Sequence, residues 1–135
     1  MTHRATDEEI KELCAQFPEY SHALNLCHKV SKVGTVLVEG DLRGVVAAEV
    51  AIPATRFVVN DDRRRCLVRF IYVTESSRKN GLGTRLMDEI KQFAKGNDCY
   101  DMSIAADYDS GTAAFLERIG FFPKKTVYEI GGLTK

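Results

Sequence analysis

V-T-E-S-S-R-K-N-G-L-G-T, from Val73 to Thr84, is a turn of small and polar residues set between two elements of opposite character. Before it, Cys66 to Val73 is almost continuously apolar, the pattern of a central strand buried on both faces. After it, Leu82, Leu86, Ile90 and Phe93 form one stripe while Arg85, Asp88, Glu89 and Lys91 fall elsewhere. That spacing predicts an amphipathic helix opened by Gly81 and Gly83 and stopped at Gly96. A helix start leaves backbone N–H groups unpaired at the positive end of its dipole, and glycine lets a ligand approach them without a Cβ in the way. With Arg78 adding a fixed positive charge, the turn reads as a phosphate or pyrophosphate site.

Outward from the turn, the chain alternates helices and strands. Thr6-Asp7-Glu8-Glu9 is a capping-box signature, and Ile10, Leu13, Cys14 and Phe17 follow at helical spacing, so a first helix runs from about Asp7 to Gln16 and stops before Pro18. Ser21 is placed to cap a second short helix with Leu24, Cys27 and Val30 as its apolar positions. Thr35 to Glu39 reads as a strand, Gly40 to Gly44 as a tight turn and Val45 to Ile52 as the returning strand, which Pro53 ends. Arg56 to Val59 reads as its continuation after a bulge, and Asp61 to Arg65 as a solvated hairpin turn. Asp101 to Ala106 is the next strand, Asp109 or Ser110 caps a last helix ending at Gly120, and Thr126 to Ile130 is a final strand. The order predicts one α/β (α+β) domain over residues 1–135, a mixed sheet with helices on both faces.

Composition narrows the function classes. The 135 residues carry 19 basic and 19 acidic side chains, for zero formal net charge. Nothing global therefore draws the chain to nucleic acid or an acidic membrane. No window approaches a transmembrane span and the N-terminus lacks an apolar signal core. Cys14, Cys27, Cys66 and Cys99 are scattered, without C-x-x-C or a histidine at ligand spacing, so reduced thiols, no metal and a cytoplasmic setting are expected.

Three phosphate-binding patterns compete for the glycine turn. A dinucleotide fold wants G-x-G-x-x-G, but Leu86 stands at the third position. A P-loop wants G-x-x-x-x-G-K-[ST], which is absent. The segment V-x-x-x-x-R-x-x-G-x-G, at a strand end and opening a helix, resembles the acetyl-CoA pyrophosphate loop of the GNAT superfamily of N-acetyltransferases. A second segment, Asp109 to Phe121 (D-S-G-T-A-A-F-L-E-R-I-G-F), is similar to the family's later Asn-headed helix ending in Gly-Phe. Arg4-Ala5-Thr6 resembles the short first strand and turn of the family, so the resemblance covers almost the whole chain.

The resemblance implies the GNAT fold, a mostly antiparallel mixed sheet that splays after its central strand, with about four helices and CoA in the opening. It implies that the backbone of Ile71, Tyr72 and Val73 pairs with the pantetheine amides. It further implies that the amides of Arg78, Lys79, Asn80, Gly81, Leu82, Gly83 and Thr84 wrap the pyrophosphate. Asp109 stands where the family usually has an asparagine near the pantetheine arm, and Phe115 would line that tunnel. The implied reaction is acetyl transfer from acetyl-CoA to a primary amine by direct attack in a ternary complex. The amine must be neutral to attack, which calls for a base or for desolvation. Near Tyr72 or Val73 a backbone N–H would meet the developing oxyanion.

Two departures from the family pattern bear on catalysis. Leu116 occupies the place where these enzymes often carry a proton-donating tyrosine, leaving Tyr108 as a substitute or as a surface tyrosine. The usual early central-strand glutamate is missing from Cys66-Leu67-Val68, leaving Glu49, the only acid in V-V-A-A-E-V-A-I. Glu49 and Arg69, the only charge within the central strand, read either as a cross-strand ion pair or as a base or amine anchor beside a contact for an acidic acceptor group. His22 and His28 border the acceptor side in this family or lie on a solvated helix face. A non-catalytic acyl-CoA-binding or protein-interaction module is the competing reading. The acceptor, a small molecule or a protein amine, is not named by any motif, and dimerisation through the C-terminal strand is a further expectation.

Overall fold

The computed structural model describes residues 2–30, 33–51, 64–104 and 110–121. They divide between two compact units, residues 1–105 and residues 106–135, each described by itself. In the first unit, strand β1 (Thr2–Arg4) leads into helix α1 (Asp7–Gln16). The capping box forms as the sequence predicts: the Glu9 N–H donates to Thr6 Oγ1 at 3.2 Å and the Thr6 N–H to Glu9 Oε1 at 3.0 Å. Two of the donors left orphaned at a helix start are thereby satisfied.

The second helix is more broken than its periodicity suggests. A 3₁₀ turn (Pro18–Tyr20) leads into α2 (Ser21–Asn25), and a π turn (Leu26–Val30) follows. Ser21 is not the cap; it lies inside the helix and its hydroxyl donates back to the Pro18 carbonyl at 3.0 Å. Widening to π geometry buries Cys27 but turns Val30 out to solvent. The chain re-enters the sheet at Gly34, where an added Cβ would lie 2.4 Å from the Cys27 carbonyl oxygen. Only glycine permits that approach.

β2 (Gly34–Glu39), β3 (Gly44–Ala51), β4 (Arg65–Val73) and β5 (Asp101–Ile104) complete a five-stranded sheet in the order β1-β2-β3-β4-β5. All neighbours pair antiparallel except β4 and β5, which run parallel. Arg65 thus begins β4 rather than ending a solvated turn, and it holds Asp101 of β5 through Nε and Nη2, each at 2.8 Å. One sheet face carries Val36, Val38, Val45, Ala47 and Phe70 against Ile10, Leu13, Leu24 and Cys27 of α1 and α2 and the π turn. Helix α3 (Leu82–Gly96) covers the other face with Leu82, Leu86, Met87, Ile90 and Ala94 buried. Leu86 and Leu82 side chains come within 3 Å of where a Gly44 Cβ would stand.

α3 stops at Gly96 as expected, but the left-handed residue that closes it lies further on. Asp98 takes the left-handed conformation (φ 58°), and the Cys99 N–H reaches the Ala94 carbonyl while Asp98 N–H reaches Lys95. These two bonds form a Schellman cap with an aspartate in the glycine position. In the second unit, α4 (Ser110–Arg118) ends the same way around Gly120 (φ 106°), with Phe121 N–H on Leu116 and Gly120 N–H on Glu117. Ile52 of the returning strand, the expected strand segments at 56–59, 105–106 and 126–130, and residues 61–63 of the turn lie outside the described residues.

Candidate active site

β4 was expected to be buried on both faces; instead its burial alternates, with Arg69 exposed and Leu67, Ile71, Tyr72 and Val73 half-buried. The cause is its register. Ala48 pairs with Val68 and Ala47 with Phe70, so Arg69 is one residue in excess of its partner strand. This β-bulge resets the side-chain alternation. Val68 shares the α3 face with Ala48, while Phe70 shares the α1/α2 face with Ala47 and the core around it.

The bulge also follows directly on the last described pairing between β4 and β5. Among the described residues β5 pairs with β4 only from Arg65 to Val68, whereas β3 stays beside β4 to Val73. Ile71, Tyr72 and Val73, the expected pantetheine contacts, therefore have no described neighbour on the β5 side. Backbone donors and acceptors on a strand edge of this kind are available for an extended amide ligand.

Beyond Val73 the turn is more ordered than its composition suggests. Glu75–Asn80 form a 3₁₀ helix, which takes in Arg78, Lys79 and Asn80. Thr74 N–H is held by the Arg43 carbonyl at 2.8 Å, and Ser77 N–H by Thr74 at 2.9 Å. Arg78 Nε donates to the Val73 carbonyl at 3.0 Å, which ties the turn back to the end of β4. Gly81 caps α3 in the left-handed conformation (φ 72°), without a side chain to cap the helix. The first α3 amide bonded to this cap is that of Arg85, which donates to the Gly81 carbonyl at 3.0 Å. Leu82, Gly83 and Thr84 occupy the first three helical positions, whose amides have no intrahelical acceptor. Among the described residues nothing stands within 4 Å of where a Gly81 Cβ would be, its chain neighbours and its own helix's backbone aside. An uncapped helix N-terminus, an open glycine and a nearby arginine fit a phosphate or pyrophosphate group.

Glu49 and Arg69, offered by the sequence as pair or as site, are in contact: Arg69 Nε donates to Glu49 Oε2 at 2.7 Å. The Glu49 side chain is 11% exposed and that of Arg69 43%, so the pair reaches from the sheet interior toward solvent. Cys27 lies close enough to feel both. Burial pushes its thiol up to about 12, Glu49 adds to the rise and Arg69 opposes it. Burial likewise pushes the Cys66 thiol up to about 12. All four cysteines are free thiols.

His22 is exposed on α2, and His28 Nε2 meets Asp7 Oδ1 at 2.7 Å, which joins the π turn to the start of α1. Phe115 is half-buried and Leu116 buried in α4. Tyr108 and Asp109 lie outside the described residues. Sequence reasoning missed the 3₁₀ order of the turn and the bulge at Arg69; a lone charge in an apolar strand was the one local signal of the latter. Among the described residues no group of histidine, cysteine or acidic side chains is arranged to hold a metal, and no helix is long and apolar enough to cross a membrane.

The model of the acetyltransferase (GNAT) family matches residues 3–121. No curated protein matches the chain significantly. Among solved structures, an aminoglycoside antibiotic 6'-N-acetyltransferase from Acinetobacter haemolyticus superposes with a TM-score of 0.71 at 17% identity, covering 100% of this chain and 99% of its own. An aminoglycoside N-acetyltransferase solved with a CoA-S-monomethyl-acetylneamine bisubstrate analogue gives 0.73 at 10% identity, with 99% and 98% covered. A transcriptional regulator from Bacillus halodurans gives 0.74 at 16% identity, with 98% and 99% covered. At these identities the likeness is one of fold.

Proposed function

Because the chain belongs to the acetyltransferase (GNAT) family, we propose that it transfers an acetyl group from acetyl-CoA to a primary amine by direct attack in a ternary complex. The observation that carries this reading is the start of α3, which no side chain caps, together with a second half of β4 that among the described residues has no neighbour on the β5 side. Amides of Leu82, Gly83 and Thr84, with those of Arg78, Lys79, Asn80 and Gly81 in the turn, would hold the pyrophosphate. Ile71, Tyr72 and Val73 would hold the amide-bearing arm through their backbone, with Asp109 and Phe115 assigned to the same arm by the family resemblance. Acetyl-CoA, when bound, supplies an activated acyl group as a thioester.

The acceptor nitrogen gains the acyl carbon and loses a proton, while the C–S bond breaks and the thiol takes up a proton. Glu49 is the candidate proton acceptor or amine anchor. Arg69 Nε, 2.7 Å from Glu49 Oε2, fixes the position of that carboxylate. Tyr108 is the candidate proton donor. With Leu116 at the usual tyrosine position, a donor is not indispensable, because general acid catalysis contributes about 10²–10⁴-fold and a thiol of pKa about 8.5 already leaves readily.

The test is calorimetric. The wild-type chain should bind acetyl-CoA, and Gly81→Asp, which puts a carboxylate where the pyrophosphate would sit, should abolish binding while leaving the thermal unfolding transition in place. Unchanged affinity in a folded Gly81→Asp variant would remove the turn from the site. Leu116 supports a second reading, a fold that holds acyl-CoA without turnover. CoA release measured with and without a panel of amines separates the two, since only the enzyme releases CoA in an amine-dependent way.

A further inference from the structure

Four aromatic rings meet on the α1/α2 face of β4, next to the bulge. The Phe17 centroid lies 5.2 Å from Phe70 and 4.7 Å from Tyr72, and that of Tyr20 lies 4.8 Å from Phe70. They are not uniformly buried. Phe70 is a floor at 7% exposure, Phe17 and Tyr72 are half-buried, and Tyr20 is a rim at 43%. A cluster serving the core alone would gain by burying all four, so the graded exposure leaves ring surface for something else to cover.

Arg69 stands beside Phe70 in the bulge. It is held by Glu49 through Nε, and among the described residues its two terminal amino groups make no hydrogen bond. Its side chain is a rigid fork, half in solvent, that matches a carboxylate. Glu49 is the one carboxylate on β3 and β4, and it is committed to that arginine. Glu19, next to Tyr20, is exposed to water. The described residues of this face therefore offer aromatic surface and a free cationic fork, not the surplus of unpaired carboxylates that a polycation would need.

We propose that Phe17, Tyr20, Phe70 and Tyr72, with Arg69, form an acceptor subsite for a primary amine that carries both an aromatic ring and a carboxylate. The ring packs against the aromatic wall and the carboxylate engages the terminal amino groups of Arg69. The amine is left to the interior side of the pair, toward Glu49. This proposal rests on the acetyl-transfer reading, and its test keeps the two apart.

The full chain is first titrated with acetyl-CoA, then assayed for CoA release and acetylated product with phenylalanine, phenethylamine and spermidine. Phenylalanine should be the preferred acceptor and spermidine the poorest. Arg69→Gln should lower the preference for phenylalanine over phenethylamine by about 10-fold, the worth of a charge-assisted hydrogen bond. A ratio is read because any effect of Arg69 on Glu49 is common to both amines and cancels. Tyr20→Ala, at an exposed position, should raise KM for both aryl amines and leave acetyl-CoA affinity unchanged. Preference for spermidine, or an equal effect of Arg69→Gln on both aryl amines, overturns the proposal while acetyl-CoA binding stands. A wild-type chain that binds no acetyl-CoA overturns the transfer reading and this subsite with it.

Discussion

Arg78 shows how one side chain can shape the turn and charge it at once. Its Nε is spent on the Val73 carbonyl, so the guanidinium is pinned at the strand end while the side chain stays exposed. Arg78→Ala is expected to weaken acetyl-CoA binding about 10- to 100-fold, in line with the 1.5–3 kcal/mol of a hydrogen bond to a charged group. Arg78→Lys should recover part of that, because it keeps the charge and loses the planar fork. Calorimetry on both variants gives the comparison, and an alanine variant that binds like wild type would exclude Arg78 from the site. Arg78 was legible because the turn itself named it. Arg69 was legible only as an anomaly. That it is a bulge residue depends on Ala47 and Ala48 of the partner strand, and no local pattern in β4 contains that register. The same holds for Val68 and Phe70, two residues apart yet on opposite faces.

Elements were read best where their ends carry chemistry. Thr6 and Glu9 start α1 at the residue expected, and the box they form closes with both bonds. Stretches without such signals were read worst. Pro18 to Val30 passes through three helical geometries, because packing against β2 decides where each turn of the backbone falls, and Gly34 is the only mark of that approach. Gly96 does end α3, but the residue that turns left-handed is Asp98, two positions on. Opposite predictions follow for the two helix ends. Thr6→Ala removes the hydroxyl acceptor of the Glu9 amide and should cost about 1 kcal/mol. Asp98→Gly relieves a side chain held in a left-handed conformation and should stabilise by up to about 1 kcal/mol, since αL costs an L-residue roughly 1–2 kcal/mol. Urea unfolding of the two variants checks both signs, and a destabilised Asp98→Gly would mean that the aspartate makes a compensating contact.

Across the whole molecule, titratable groups at two places set opposite limits on stability. Asp7 and Glu9 lie in the first turn of α1. The His28 hydrogen bond, then Lys29, holds the Asp7 carboxyl below its usual value. At Glu9 burial alone would raise it, but the Thr6 amide and His3 outweigh that and the net direction is down. Groups with a depressed folded pKa contribute stability above the ordinary carboxylate range and lose it as pH falls through their lower folded values. Cys27 and Cys66 act in the reverse sense. Their thiols are pushed up to about 12 by burial, so the native state keeps protons that the unfolded chain gives up. Their contribution is full below the ordinary thiol range, near 9, and fades as pH rises toward 12. A plateau across neutral pH, with an acid limb and an alkaline limb, is therefore expected. Glu9→Gln should flatten the acid limb and leave the alkaline one, and Cys66→Ala should do the reverse. The slopes decide the matter even though removing a buried side chain also lowers the plateau through the cavity it leaves. Chemical denaturation from pH 2 to pH 11 reads both limbs. The same burial should keep Cys27 and Cys66 unreactive toward a thiol reagent at pH 8 until the chain is unfolded. An alkaline limb that keeps its slope in Cys66→Ala would show that other groups set it.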